Sequence, residues 1–142
     1  MKIAKADLKD IDSIVDIEMS SGYHRKPVKS EIRKLFVNFF NSAHPYAFVL
    51  KNRDKPIGYF AFRKARDYCE LDYFAIDKEY QGKGLSKLLL SKIVSLSGNT
   101  GLGKIKLSVR NSNKRAIDLY KKYGFKAVGK NKNKLYMVKE LK

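Results

Sequence analysis

Apolar positions recur along the chain at two spacings, and the switches between them predict the order of secondary-structure elements. Residues 2–6 alternate and predict a short strand, whereas residues 8–19 show helical spacing, with Asp10 or Asp12 able to cap the helix. Residues 30–41 predict a second helix because their apolar positions form one stripe. We expect that stripe to be buried and to consist of Ile32, Leu35, Phe36, Phe39 and Phe40.

The middle of the chain predicts a hairpin, a longer strand and a helix. The alternating runs 46–50 and 57–62 are joined by the polar turn 51–56, which predicts an antiparallel hairpin. Residues 67–76 alternate and are expected to pair beside it. A polar turn with two glycines then leads into leucines at helical spacing, which predict a helix to about residue 97.

The last third predicts a strand over 105–109, a helix capped within 111–113 and terminated by Gly124, and a hairpin made of 125–128 and 134–139. The resulting order is β-α-α-β-β-β-α-β-α-β-β. It predicts an α/β (α+β) fold in which about seven mostly antiparallel strands are flanked by about four helices. With no repeat or linker, residues 1–142 are expected to form a single domain.

Composition narrows the class of protein. Of the 142 residues, 31 are basic and 14 acidic, and the net charge of +17 attracts phosphorylated cofactors, acidic proteins or nucleic acid. A lysine-rich solvated surface that reflects habitat or genome bias is the alternative. No apolar leader or membrane segment is present, so a cytoplasmic protein is expected. The lone Cys69 excludes an intrachain disulfide and a cysteine metal cluster, and we expect it to serve packing.

The turn between residues 76 and 85 has the composition of an anion-binding loop. Gly82 and Gly84 let the backbone approach a ligand without an intervening Cβ. The helix that follows begins with N–H groups that have no intrahelical partner. Such a strand, loop and helix start favours phosphate.

Two motifs identify a resemblance to the GCN5-related N-acetyltransferase (GNAT) family over nearly the whole chain, in particular to its ribosomal-protein N-terminal acetyltransferase branch. Gln81-Gly82-Lys83-Gly84-Leu85-Ser86 resembles the family's Gln/Arg-x-x-Gly-x-Gly/Ala loop for the pyrophosphate of acetyl-CoA. Residues 113–125 resemble its Asn-x-x-Ala-x-x-x-Tyr-x-x-x-Gly-Phe stretch. Ser86 departs from the first pattern but keeps a small side chain and a backbone N–H.

The resemblance implies the residues that hold the cosubstrate, acetyl-CoA. Backbone groups of Phe74, Ala75 and Ile76 are expected to bind the pantetheine arm as an added strand does. The residues expected around the pyrophosphate are Gly82, Lys83, Gly84, Leu85, Ser86 and Lys87. Gln81 either contacts a phosphate or closes the turn. Asn113 is expected near the thioester, and it also fits a plain helix N-cap.

The resemblance also implies catalytic roles. Tyr120 is expected to protonate the departing thiolate, since a phenol with a pKa of about 10 suits that transfer, although a core position is the alternative. Relatives in this branch carry a glutamate five positions before the asparagine, where this chain has Ser108. Glu70 and Asp72, which share one face of their predicted strand, are the substitute bases, either directly or through water; an ion pair with a lysine is the alternative for Glu70.

Residues 20–29 are expected to form a loop that borders the acceptor site, with Tyr23 and His24 in it. Tyr136 is expected to form a wall of the acceptor groove, and His44 reads as a turn residue.

We expect an acetyl-CoA-dependent N-acetyltransferase that acts by direct attack of a primary amine in a ternary complex, as a monomer or homodimer. The net charge of +17 disfavours polyamines and favours a peptide or protein amine. The alternatives are an acetyl-CoA-binding module without catalysis and a basic module for an acidic partner or nucleic acid. Nucleic acid is disfavoured because no aromatic-interleaved RNA motif is present.

Overall fold

The computed structural model describes residues 1–20, 29–41 and 46–141 and shows the predicted order of elements within these ranges. The helices are α1 (Ile11–Ser20), α2 (Lys29–Phe40), α3 (Leu85–Gly98) and α4 (Lys114–Lys122). The strands are β1 (Lys2–Lys5), β2 (Tyr46–Asn52), β3 (Lys55–Lys64), β4 (Cys69–Ile76), β5 (Lys104–Arg110), β6 (Lys126–Lys130) and β7 (Lys134–Glu140). In the described ranges, no helix has the length and apolar content needed to cross a membrane.

The strands form one sheet in the order β1-β2-β3-β4-β5-β7-β6. Neighbours pair antiparallel in β1–β2, β2–β3, β5–β7 and β6–β7. β4 and β5 are parallel, through the pairs Cys69↔Ile105 and Glu70↔Lys106, and α3 supplies the crossover that a parallel pair requires. The predicted fold class, a mostly antiparallel sheet with helices, is confirmed.

The chain divides into two compact units. The first unit comprises Met1–Arg63 and Asp72–Leu90, and the second comprises Lys64–Leu71 and Ser91–Lys142. The boundary falls inside β4 and inside α3, so neither unit is one continuous run of chain. The single domain expected over residues 1–142 stays a prediction.

The core of the first unit joins α1 and α2 to the middle strands. Phe36 of α2 packs edge-on against Tyr59 of β3, with ring centroids 5.4 Å apart, and its centroid lies 4.7 Å from that of Tyr73 on β4. Glu18 of α1 is buried and accepts a hydrogen bond from the Tyr59 hydroxyl, which offsets the cost of burying a polar group there. Aromatic packing on this face of the sheet therefore fixes both helices.

The second unit has a buried and a more exposed sheet face. Ile105, Leu107 and Val109 of β5 are buried, and Met137 of β7 is paired with Leu107 on the same face. The alternating positions of β5 and β7 are half-exposed or exposed. Cys69 is fully buried, with its Sγ 3.6 Å from Thr100 Oγ1, so the prediction that it serves packing agrees with its position.

A 3-10 turn precedes the first helix and has its own cap. The Asp7 side chain accepts from Lys9 N at 3.0 Å, and Asp10 Oδ2 accepts from Asp7 N at 3.0 Å. This reciprocal capping box begins a 3-10 turn, Leu8–Asp10, before α1. The capping of α1 by Asp10 or Asp12 stays a prediction. Helical spacing alone did not separate the 3-10 turn from the helix.

Two expectations were wrong in detail. Leu35 is 51% exposed and does not belong to the buried stripe of α2, because Ile32, Phe36 and Phe39 already fill the face toward the core. The β2–β3 turn is shorter than predicted, since both strands extend to leave Arg53 and Asp54 between them. Arg53 adopts a φ of 58°, which suits a tight hairpin.

We predict that Gly58→Val destabilises the fold. An added Cβ at Gly58 would lie 2.8 Å from Ile76 Cδ1 and 3.3 Å from Leu89 Cδ1, so the mutation overpacks the first unit. The expected loss in unfolding free energy is about 1–3 kcal/mol, measured by urea denaturation. Gly129→Ala is the control, because an added Cβ there meets no atom within 4 Å. Equal effects of the two changes would contradict the prediction.

Candidate functional site

The turn between β4 and α3 is built to expose backbone amides. Asp77 accepts from Glu79 N at 3.0 Å and caps a 3-10 turn, Lys78–Tyr80. Gly82 and Gly84 then each adopt a φ of 80°, a left-handed conformation that costs a residue with a Cβ about 1–2 kcal/mol. α3 begins at the next residue, so its first amides follow directly on the two glycines.

Polar side chains hold this turn. Gln81 Nε2 donates to Ile76 O at 3.0 Å, so Gln81 closes the turn, which was one of its two predicted roles. Lys83 Nζ lies 5.4 Å from the centre of the Tyr80 ring, in a cation–π contact. Lys83 and Lys87 are exposed, and Leu85 and Ser86 are half-buried. The turn thus presents positive charge beside its amides.

The residues expected along the pantetheine arm end β4. Ala75 and Ile76 are buried and Phe74 is half-buried. Their position on the strand follows the end of the β4–β5 register, which covers Cys69 and Glu70. Ile76 O accepts from Gln81 Nε2, so this carbonyl is engaged within the turn.

The pKa of Asp72 is shifted from its ordinary value. Arg63 Nε donates to Asp72 Oδ2 at 2.9 Å, and the Asp72 side chain is 20% exposed. Burial raises the pKa of Asp72, and the charge and hydrogen bond of Arg63 oppose that rise. The contact between Arg63 and Asp72 was not predicted. Pairing of residues 57–62 with residues 67–76 in a hairpin indicates that Arg63 lies near Asp72.

The motif formed by residues 113–125 lies in the second unit. Asn113 Oδ1 accepts from Ala116 N at 3.2 Å, so Asn113 is the N-cap of α4. Tyr120 is buried, at 8% exposure, and its ring meets Phe125 edge-on with centroids 5.5 Å apart. Gly124 ends the helix with a φ of 93°, as predicted. Its ring thus occupies the predicted core position, and its role as proton donor stays a prediction.

The predicted site residues divide between the units. Asp72, residues 74–76 and residues 81–87 belong to the first unit, and Glu70, Asn113 and Tyr120 to the second. Glu70 is half-buried and lies opposite Lys106 in the β4–β5 register. Tyr23, His24 and His44 lie outside the described residues. Within the ranges that are described, no cluster of His, Cys, Asp and Glu is arranged to hold a metal ion.

An asparagine network that the sequence did not reveal fixes the β6–β7 turn. Asn131 Oδ1 accepts from Lys134 N at 2.8 Å, and Asn111 Nδ2 donates to Asn131 O at 3.2 Å. Asn131 Nδ2 donates to the Tyr136 hydroxyl at 2.9 Å. The asparagines in this turn sequence indicate such a network, because asparagine side chains often bond to the backbone of turns. Tyr136, 41% exposed, is therefore held in one orientation.

A model of the acetyltransferase (GNAT) family matches residues 11–125. A Bacillus subtilis (strain 168) protein assigned as a ribosomal protein bS18-alanine N-acetyltransferase is 32% identical over 128 residues, which cover 89% of this chain and 81% of that protein. The spermine/spermidine N(1)-acetyltransferase of the same strain is 43% identical over 75 residues, or 50% of this chain and 49% of that protein. The PaiA N-acetyltransferase of Thermoplasma acidophilum, solved with coenzyme A, has the same fold at a TM-score of 0.84, 18% identity and 98% coverage of both chains.

We predict that Asp72→Asn changes stability in a pH-dependent way. Because the folded-state pKa of Asp72 is raised, its ionised form is disfavoured by folding, so the carboxylate costs stability at pH 7. The cost fades as pH falls through the raised folded-state pKa and vanishes below the unfolded pKa of about 3.9. Asparagine still accepts from Arg63 but does not ionise. The expected gain is up to about 1 kcal/mol at pH 7, shrinking toward zero near pH 3.5, measured by thermal denaturation.

Asp118→Asn is the matched control, because Asp118 is an exposed carboxylate on α4. A lower stability of Asp72→Asn at pH 7 would show that attraction to Arg63 outweighs burial.

Proposed function

The chain belongs to the GNAT family and is an acetyl-CoA-dependent N-acetyltransferase, and from this membership we propose that its acceptor is a primary amine of a peptide or protein. The amine attacks the thioester directly while both substrates are bound, so no covalent enzyme intermediate forms. The observation that supports the location of the site is the turn with two left-handed glycines directly before α3.

The turn 81–87 is proposed to bind the pyrophosphate. Each left-handed glycine turns its amide away from the ordinary strand direction, and the first turn of α3 adds amides with no intrahelical partner. The helix dipole and the exposed Lys83 and Lys87 favour a doubly charged group there. Ser86 contributes a backbone N–H at the position where the family carries a smaller residue.

Tyr120 is proposed as the proton donor to coenzyme A thiolate. Its packing against Phe125 fixes the ring, and a phenol in general has a basicity close to that of a thiolate. The N-cap Asn113, about two turns earlier on the same helix, is proposed to hold the cofactor near its thioester. Protonation of the sulfur makes the bond between carbon and sulfur easier to break.

Asp72 is proposed as the base that removes a proton from the amine, directly or through water. An amine must be neutral to attack, and an N-terminal α-amine, with a pKa of about 8, reaches that state most easily. Burial raises the basicity of Asp72, while Arg63 fixes its orientation. Glu70 is the second candidate, although Lys106 stands opposite it in the register and favours its structural role.

The acceptor class follows from relatives and charge together. The Bacillus subtilis relative that covers most of this chain acts, by its name, on an alanine of a ribosomal protein. The relative named for spermine and spermidine covers half of the chain. Because the net charge is +17, a polycationic amine is repelled by the field of this protein, whereas a peptide is not.

We predict that Gly84→Ala weakens binding of acetyl-CoA. Gly84 has a φ of 80° and open space around an added Cβ, so the mutation strains the backbone without filling the turn. The expected rise in Kd is about 5- to 20-fold, measured by isothermal titration calorimetry at low ionic strength. Gly98→Ala, also in open space but at the end of α3, should leave Kd unchanged. No binding of acetyl-CoA by the unmutated chain would overturn the assignment of this turn.

We also predict that Tyr120→Phe lowers kcat about 100-fold, because the phenyl ring keeps the packing against Phe125 but donates no proton. The KM for acetyl-CoA should not change. The assay follows thiol release with a panel of α-amino peptides, lysine peptides and spermine. Tyr123→Phe, at the C-cap of the same helix, is the control. An unchanged kcat in Tyr120→Phe would show that Tyr120 serves only packing.

A further inference from the structure

β6 is an edge strand with an open outer side. In the order of strands it is the last, so it pairs with β7 on one edge only. All five of its residues, Lys126–Lys130, are exposed, and Val128 in the middle is 66% exposed. A Cβ added at Gly129 would meet no atom within 4 Å. Within the described ranges, the outer edge of β6 is therefore accessible to a further strand.

The other edge strand, β1, gives a comparison. It also begins and ends with exposed lysines, Lys2 and Lys5, but Ile3 and Ala4 between them are half-buried. Lysines at the ends are thus common to both edges of the sheet, and they protect an edge against association with its own kind. The exposed middle belongs to β6 alone of these two strands.

The chain around β6 carries positive charge without carboxylates to balance it. Between Asp118 and Glu140 the sequence has seven lysines and no acidic residue. Among the described residues, no ion pair involves Lys126 or Lys130. Charge of one sign on an accessible strand attracts a partner of the opposite sign.

The two lysines of β6 stand on opposite faces of the sheet. Lys126 lies opposite Val138 of β7. Lys130 lies opposite Leu135, which is three positions away and so points to the other face. The change of face comes from the register shift at Val128, where β6 has one residue more than β7. A strand that pairs with this edge therefore meets one cation on each of its faces.

We infer that β6 binds an extended acidic segment of another protein, which adds to the sheet as a further strand. Main-chain hydrogen bonds to the outer edge supply affinity, and pairing of carboxylates with Lys126 and Lys130 selects acidic sequences. Val128 offers an apolar contact between the two lysines. This surface lies wholly in the second unit, and binding there does not require the proposed acceptor.

A second copy of the chain and a nucleic acid fit this edge less well. Two β6 edges side by side would bring lysines against lysines, which opposes self-association. A nucleic acid has no main chain that can continue a β-sheet, and Val128 offers no aromatic ring on which a base can stack. An acidic polypeptide can pair with the edge and with the lysines at once.

The test measures the binding of labelled peptides to the full chain by fluorescence anisotropy at low ionic strength. The acidic probe repeats Glu-Thr-Thr, so its glutamates alternate between the two faces of an extended chain. A second probe repeats Glu-Pro-Thr, which keeps the charge but removes N–H groups that a strand needs. A third repeats Gln-Thr-Thr and has no charge. We expect the acidic probe to bind about 5- to 10-fold more tightly than either of the others.

The double variant Lys126→Gln, Lys130→Gln should raise the Kd of the acidic probe about 5- to 10-fold. The matched control is Lys2→Gln, Lys5→Gln, which removes the same charge from the ends of the other edge strand and should change Kd less than about twofold. Equal losses in the two variants would show attraction by the general field of the protein and would overturn β6 as the binding strand.

Hydrogen exchange locates the bound peptide. The acidic probe should slow exchange of the backbone amides of β6, and the proline probe should leave it unchanged. Protection elsewhere without protection of β6 contradicts the inference, as do equal binding of the proline probe and no binding of the acidic probe. Tighter binding of a single-stranded RNA oligonucleotide of equal charge through Lys126 and Lys130 would also overturn it.

Discussion

The turn before α3 depends on how closely β3 approaches both of its ends. The space at Gly58 is filled by Ile76, the last residue of β4, and by Leu89 in the second turn of α3. Next to this contact, Asp77 N donates to Ile57 O at 2.8 Å. The end of β4 and the start of α3 are thus both packed against β3 at Gly58. Since both ends are fixed, the amides exposed between them keep a defined direction, as phosphate binding requires.

Most of the fold was predictable because burial and periodicity agree along this chain. β5 alternates buried and half-exposed residues, and α3 and β7 extend over nearly the predicted residues. The errors fall where two local structures have similar spacing. Asp7 begins a 3-10 turn that merges into α1, and Leu35 lies at helical spacing from buried residues but beyond the width of the core-facing stripe.

The site was predictable in its backbone and less so in its side chains. Left-handed glycines can be expected from a turn sequence, because few other residues adopt that conformation at low cost. The partner of a side chain depends on register, which a sequence only suggests. Arg63 beside Asp72 and Asn131 beside Tyr136 follow from strand pairing. Gln81 had two predicted roles, and its hydrogen bond to Ile76 O supports the one in which it closes the turn.

The positive net charge is distributed unequally between the two units. Ion pairs such as Arg33 with Asp12 and Lys29 with Asp16 compensate charge in the first unit. The second unit carries 16 basic and 4 acidic residues, so its own carboxylates cannot neutralise it. An excess of positive charge in one unit attracts anions over a Debye length, about 8 Å at physiological ionic strength.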